Sequence, residues 1–317
     1  MKSETYIPFK KRRSGNFMFH LLALAIVAVW GTTFVSTKVL LLSGLGPSEI
    51  LLYRFALAYI GICLCSRPFK LFAHGLKDEL FCLLAGLMGG TMYFITENTA
   101  LEYTLISNVA LICSISPLLT ILIKSFIIKH TTPDRNIFLG SAIAFIGVGA
   151  VIFNSKFVFD LNPIGDILCF FSALSWALYT LVTKYLSPRY SAMFIVRKTF
   201  FYGMVTLIPF LIVQDKLSFS SDTLLQFNVW SRLLVLGIIA SFLCFMLWNV
   251  CMRKLNTLVL TNYIYLSPVV SIITSNLILG ENINLIIIIG VVLVISGMYF
   301  AGKKGRDKSA DPSTENH

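Results

Sequence analysis

The sequence predicts an all-α polytopic membrane protein of ten transmembrane helices, arranged as two inverted five-helix repeats. Three observations lead there. Apolar runs of spanning length recur at Phe17–Leu42, Ile50–Ser66, Leu80–Glu97, Thr104–Ile128, Ile137–Phe153, Ile167–Lys184, Phe194–Val213, Leu233–Met252, Leu258–Leu279 and Leu285–Ala301. Each can cross about 30 Å of hydrocarbon, where the backbone must bond to itself and therefore coils into a helix. The chain is also 56% apolar and 13% charged, with a mean hydropathy of +0.81, too little polar surface to coat a soluble globule. Finally, one stretch is written twice. NVALICSISPLLTILIKSFII and NIFLGSAIAFIGVGAVIF return as TNYIYLSPVVSIITSNLIL and LIIIIGVVLVISGMYFAG. Ser116-Pro117 aligns with Ser267-Pro268 at an offset of 151, Gly140 and Gly147 with Gly290 and Gly297 at 150, and Trp30…Lys38 with Trp176…Lys184 at 146. A period near 150 residues is too long for a solenoid and marks duplicated halves, a common transporter plan.

The elements follow in order. Residues 1–16 read as a cytoplasmic N-terminal segment, 17–153 as the first repeat, 154–166 as an extracytoplasmic connection, 167–301 as the second repeat and 302–317 as a disordered cytoplasmic tail. The first run follows a basic stretch, Lys10–Arg13, as a signal peptide would. It is longer than an h-region and no small-x-small site closes it, so it reads as an uncleaved first helix. Lys and Arg then set the topology. They gather in the N-terminus, in the even loops (Arg67, Lys70, Lys77; Lys129, Arg135; Lys184, Arg189, Arg197, Lys198; Arg253, Lys254) and in the tail. The odd loops hold only Lys156, Lys216 and Arg232. Both termini are expected in the cytoplasm, and five helices per repeat turn the second half upside down. The net charge of +11 is then a positive-inside bias with affinity for anionic lipid headgroups, not a nucleic-acid footprint.

Small residues and breakers come next. Gly86, Gly89 and Gly90, and Gly140, Ala144 and Gly147, put small side chains on one helix face and let backbones approach closely. Pro117 and Pro268 fall mid-run, where each removes a hydrogen bond and permits a kink; matching kinks in inverted halves suit hinges and static packing alike. The seven cysteines lie in or beside apolar runs without metal spacing and read as small buried hydrophobes. The four histidines sit at helix edges, in loops or in the tail. HExxH, a P-loop and a pair of intramembrane aspartates are all missing from the sequence, so no enzyme, cofactor or metal is expected.

With these residues in view, the chain resembles the EamA-type ten-helix carriers of the drug/metabolite transporter superfamily. VWGTTFVSTK, PSEILLYRFALA, TALEYTLISNVALICSISPLLT and FIGVGAVIF carry the likeness in the first half, and LSWALYTLVTK, YLSPVVSIITSNLILGENI and GVVLVISGMYFAG in the second. It runs from about Leu21 to Gly302. The fourth loop, IIKHTTPDRNI, departs from an acidic residue common in the family, which the second half carries at Glu281. The resemblance implies a substrate path between inverted halves and movement of small organic solutes by alternating access. Together with a basic N-terminus that lacks an organellar presequence, it implies a bacterial inner membrane.

Polar residues inside membrane runs are expensive and mark mechanism. Lys38 follows Trp30 and Phe34 at helical spacing, either as a cation above an aromatic shelf or as a lysine snorkelling to the outer interface. Arg54 suits bidentate capture of a carboxylate or phosphate, or a structural pair with Glu97. Glu97 is the candidate for proton coupling; its other reading is an outer-rim carboxylate paired to Lys38 or Arg54. Asn98 aligns with Asn249 at an offset of 151, and both are candidate hydrogen-bond donors to a solute. Trp176 and Tyr179 mirror the first helix and, facing a cavity, would hold an apolar body. The expected function is a secondary transporter of small organic metabolites, such as an amino-acid exporter. A passive facilitator without ion coupling and a non-transporting scaffold are the alternatives. The expected partners are a small-molecule substrate and the lipid bilayer, with a homodimer compatible with the sequence.

Overall fold

The computed structural model describes residues 15–66, 70–104, 106–127, 135–152, 162–214, 226–279 and 285–303. Among them every regular element is helical. We number ten helices in chain order. The uninterrupted ones are α1 (Gly15–Leu42), α2 (Pro47–Cys65), α5 (Arg135–Ile152), α6 (Pro163–Leu186), α7 (Ala192–Gln214) and α10 (Leu285–Lys303). Helices α3 (Leu76–Tyr103) and α8 (Phe227–Lys254) each contain a π-helical stretch. Helix α4 comprises Ile106–Cys113 and Ser116–Ile127, and α9 comprises Thr257–Asn262, a 3-10 turn at Tyr263–Tyr265 and Leu266–Leu279. Six of the ten are long and apolar enough to cross a membrane: α1, α2, α3, α6, α7 and α8. Most of the expected N-terminal segment, connecting loop and tail, and the IIKHTTPDRNI and GENIN breaks, lie largely outside the described residues.

Local chemistry explains where helices start. Asn162 caps α6 by accepting from the amides of Ile164 (3.2 Å) and Gly165 (3.3 Å), and Pro163 occupies the first turn, where it has no amide to lose. That cap starts α6 four residues before the apolar run at Ile167. Asn256 caps α9 through the amide of Leu258 at 2.9 Å. Pro117 corrects the sequence reading, and Pro268 refines it. Helix α4 breaks at Ser114–Ile115, and α9 tightens at Tyr263–Tyr265. Pro117 is the second residue of the helix after the break and Pro268 the third after the tightened turn. Pro117 therefore occupies a first turn, where a ring without an amide proton is tolerated, while Pro268 lies inside α9, just past its 3-10 turn.

The π stretches, Leu87–Met92 and Val235–Leu243, were not legible in the sequence. They follow Gly86 and overlap Gly237, residues 151 apart. Around them, α2 packs on α8 and α7 on α3, while α1 packs on α8 and α9, and α6 on α3 and α4. Helices α2 and α7 also touch, and α5 lies along α10.

The α5–α10 pair shows why small residues are needed. A Cβ added to Gly147 would stand 2.8 Å from the Gly290 carbonyl, and one added to Gly297 would stand 2.5 Å from the Gly140 carbonyl. The obstruction is backbone on both sides, so neither neighbour can yield. Gly147→Leu is accordingly expected to overpack the crossing and cost about 1–3 kcal/mol. A fall in melting temperature in detergent checks this, with Ile146→Leu, at a side chain 64% exposed, leaving it unchanged.

Candidate functional site

The rings come first, because they place everything else. Trp30 on α1 and Trp176 on α6 meet edge to face at 5.2 Å. Trp248 (5.0 Å) and Phe245 (5.7 Å) of α8 close on Trp30, and Tyr93 of α3 stands 5.0 Å from Trp176. Such pairs add about 0.5–1.5 kcal/mol each beyond burial. Above them is a cavity that leaves ≈ 40 Å³ open to the centre of a water molecule, room for a few waters.

Seven helices supply the walls. Val27, Trp30, Thr33 and Phe34 come from α1, Arg54 from α2, and Tyr93, Phe94 and Glu97 from α3. The break in α4 brings Cys113, Ser114 and Ser116 to the wall, and the turn in α9 brings Ile264, Ser267 and Pro268. Arg54 is 1% exposed and Glu97 3%. Arg54 donates through Nε to the Ser241 hydroxyl at 2.5 Å, and its guanidinium carbon lies 4.1 Å from the centre of the Phe94 ring. Ser241 belongs to the π stretch of α8, so that irregular turn positions the cation. Glu97 hydrogen-bonds Tyr93, one helical turn before it, and its Oε2 has no partner among the described residues. No ion pair within 4.0 Å joins Arg54 to Glu97 there. A guanidinium and a carboxyl group thus share one cavity without direct contact.

Of the residues singled out in the sequence, the structure brings Trp30, Arg54, Glu97, Trp176 and Pro268 to the cavity. Lys38 is not among its lining residues; its Nζ donates to the carbonyl of Leu101, near the C-terminus of α3, where a cation is favoured. Asn98 pins α3 to the start of α2 by donating to the Pro47 carbonyl at 3.2 Å. Asn249 donates to the Tyr179 hydroxyl at 3.0 Å and to the Phe245 carbonyl at 2.9 Å. Tyr179 is fully buried against Gly89, where a Cβ would stand 2.2 Å from the ring. Asn98, Asn249 and Tyr179 thus make contacts between helices and are not among the cavity-lining residues. Pro117 follows the α4 break without lining the cavity. Sequence reasoning missed Tyr93, although its place four residues before Glu97 on one helix face was a usable signal.

Towards the α6–α7 connection the bundle is tied shut by polar contacts. Glu79 of α3 accepts from Lys198 and Tyr202 of α7, and from the amide of Ala73 at 2.7 Å. Asp78 accepts from Arg189 at 2.8 Å and Tyr190 at 2.7 Å. Arg197 donates to the Lys70 carbonyl. The Lys198–Glu79 side chains are only 6% and 18% exposed, so removing one partner strands the other. Lys198→Ala should destabilise by about 3 kcal/mol, whereas Lys198→Met with Glu79→Gln should recover much of it. Thermal unfolding of the three proteins in detergent checks the expected order.

Comparison with known proteins adds the following. The family model described as EamA-like transporter family matches residues 17–153 and 163–302. An uncharacterized transporter of Archaeoglobus fulgidus is 25% identical over 304 residues, covering 91% of this chain and 99% of its own length. A probable amino-acid metabolite efflux pump of Salmonella typhimurium is 28% identical over 297 residues, covering 88% and 92% respectively. A solved crystal structure superposes with a TM-score of 0.72 over 95% of this chain and all of that one, at 15% identity, a likeness of fold alone.

Proposed function

Because the chain belongs to the EamA-like transporter family, and is thus a multi-pass membrane transporter rather than an enzyme, we propose that it exports amino-acid-like zwitterions by alternating access. The observation that carries this is the pair of buried, opposite, non-contacting charges in one cavity. Arg54 keeps the end of its planar fork for a carboxylate. Glu97 keeps Oε2 for an ammonium group. The aromatic cluster of Trp30, Trp176 and Phe245 takes the apolar body. The name of the Salmonella relative supports the solute class and the direction. A carboxylate that takes either an ammonium or a proton couples the two by competition, which is the role proposed for Glu97.

The framework proposed for this is two inverted five-helix halves. The matched packing supports it: α1 on α8 and α9 answers α6 on α3 and α4, and α2 on α8 answers α7 on α3. The π stretches and the glycine crossing of α5 with α10 repeat at the same offsets. The breaks before Pro117 and Pro268 are the proposed hinges, since a helix end absorbs dihedral change at less cost than a helix interior. The proposed setting is a bacterial inner membrane with both termini cytoplasmic, from the basic loops.

Counterflow in proteoliposomes loaded with neutral amino acids tests the reading. Wild type should exchange them. Arg54→Gln, losing a charged hydrogen bond worth about 1.5–3 kcal/mol, should fall roughly 10- to 100-fold. Glu97→Gln should bind less tightly and become indifferent to an imposed pH gradient. Normal exchange by well-folded Arg54→Gln would overturn the assignment.

A further inference from the structure

Eleven buried side-chain polar atoms lack a hydrogen-bond partner among the described residues, and two of them belong to side chains that line the cavity: Glu97 Oε2 and Trp176 Nε1. One is an acceptor and the other a donor. The acceptor already has a role in the proposed function. The donor does not.

Three indoles meet in this cluster, and their N–H groups differ in availability. Trp30 donates to the Ala240 carbonyl, in the π stretch of α8, at 2.9 Å. Trp248 is fully buried, its Nε1 unpaired, but it is not a cavity wall. Trp176 is 4% exposed, lines the cavity and holds its donor in reserve. Its ring touches Tyr93 at 5.0 Å, and Tyr93 bonds Glu97. The indole that carries the unpaired donor is therefore a wall of the same cavity as Arg54 and Glu97, and reaches Glu97 through Tyr93.

We infer that the Trp176 N–H selects solutes whose side chain carries a hydrogen-bond acceptor, making Trp176 the specificity-determining residue of this site. The inference rests on the zwitterion reading above. A buried donor left unsatisfied costs about 1–3 kcal/mol. A hydroxyl or carbonyl on the solute removes that cost, whereas a methyl group of the same size leaves it standing. Arg54 and Glu97 hold the head group of every α-amino acid equally, so they cannot make this distinction. Of the wall hydroxyls, that of Thr33 is engaged with the Trp30 carbonyl at 2.7 Å and Ser114 has a partner of its own; Ser116 and Ser267 also line the cavity, so the test isolates the indole by removing its N–H alone.

Threonine and valine are the probes, being nearly isosteric and differing by a hydroxyl for a methyl. In counterflow, wild type should favour threonine over valine about tenfold or more, corresponding to about 1.4 kcal/mol. Trp176→Phe, which keeps a ring and removes the donor, should bring the ratio within about threefold by weakening threonine. Trp248→Phe, whose donor is equally unpaired but lies off the cavity wall, should leave the ratio in place. Serine against alanine in the wild type repeats the comparison without any variant, should Trp176→Phe fail to fold. An unchanged ratio in folded Trp176→Phe, or no preference in the wild type, overturns the inference and leaves the zwitterion reading intact. Exchange of other amino acids but of neither probe does the same. Failure of every amino acid to exchange overturns both.

Discussion

A polar atom without a partner costs more in hydrocarbon than elsewhere in a protein, and that constraint orders this chain. It drives the backbone into helices and favours irregular turns within the bundle, where a neighbour or a cavity can take up the freed groups. The breaks at Ser114–Ile115 and Tyr263–Tyr265 both border the cavity. The π stretches of α3 and α8 lie against α7 and α2, and that of α8 supplies the serine that holds Arg54 and the carbonyl that holds Trp30. Irregular backbone and functional side chains are thus found together for one reason.

The same constraint divides the interior into a sealed part and a receptive part. Away from the cavity, Asn249 donates to the Tyr179 hydroxyl, and Glu79 collects three donors. Around the cavity, the charges are buried yet not joined, and one carboxylate oxygen and one indole N–H are left over. Nine other buried polar atoms also lack a partner among the described residues, but these two belong to side chains that line the cavity. A small solute with two opposite charges is the completion this geometry supports.

Much of this was legible from residues alone. Ten apolar runs, the alternation of basic loops and the repeated Ser-Pro and glycine steps foreshadowed ten helices. Trp30, Arg54, Glu97 and Trp176 could be found because polar or aromatic groups at membrane depth need an interior location. Lys38 showed the limit. Its spacing from Trp30 and Phe34 put all three on one face, but a long flexible stem carries the charge about a turn further, to the Leu101 carbonyl. Asn98 and Asn249 aligned in sequence and both became bridges between helices, because short amide side chains reach only the nearest backbone or hydroxyl. The π stretches left no local code: an i to i+5 turn depends on what presses against the helix, and only the matched glycines hinted at it.

The account stands or falls on one cavity serving both faces of the membrane. Cys113 lines it and is 7% exposed. With the other six cysteines replaced by serine or alanine, a membrane-impermeant maleimide can be applied from either side of oriented vesicles. Labelling of Cys113 from each side, slowed by the exchanged amino acid, is the predicted result. Labelling from one side only, in vesicles that carry out exchange, would contradict it.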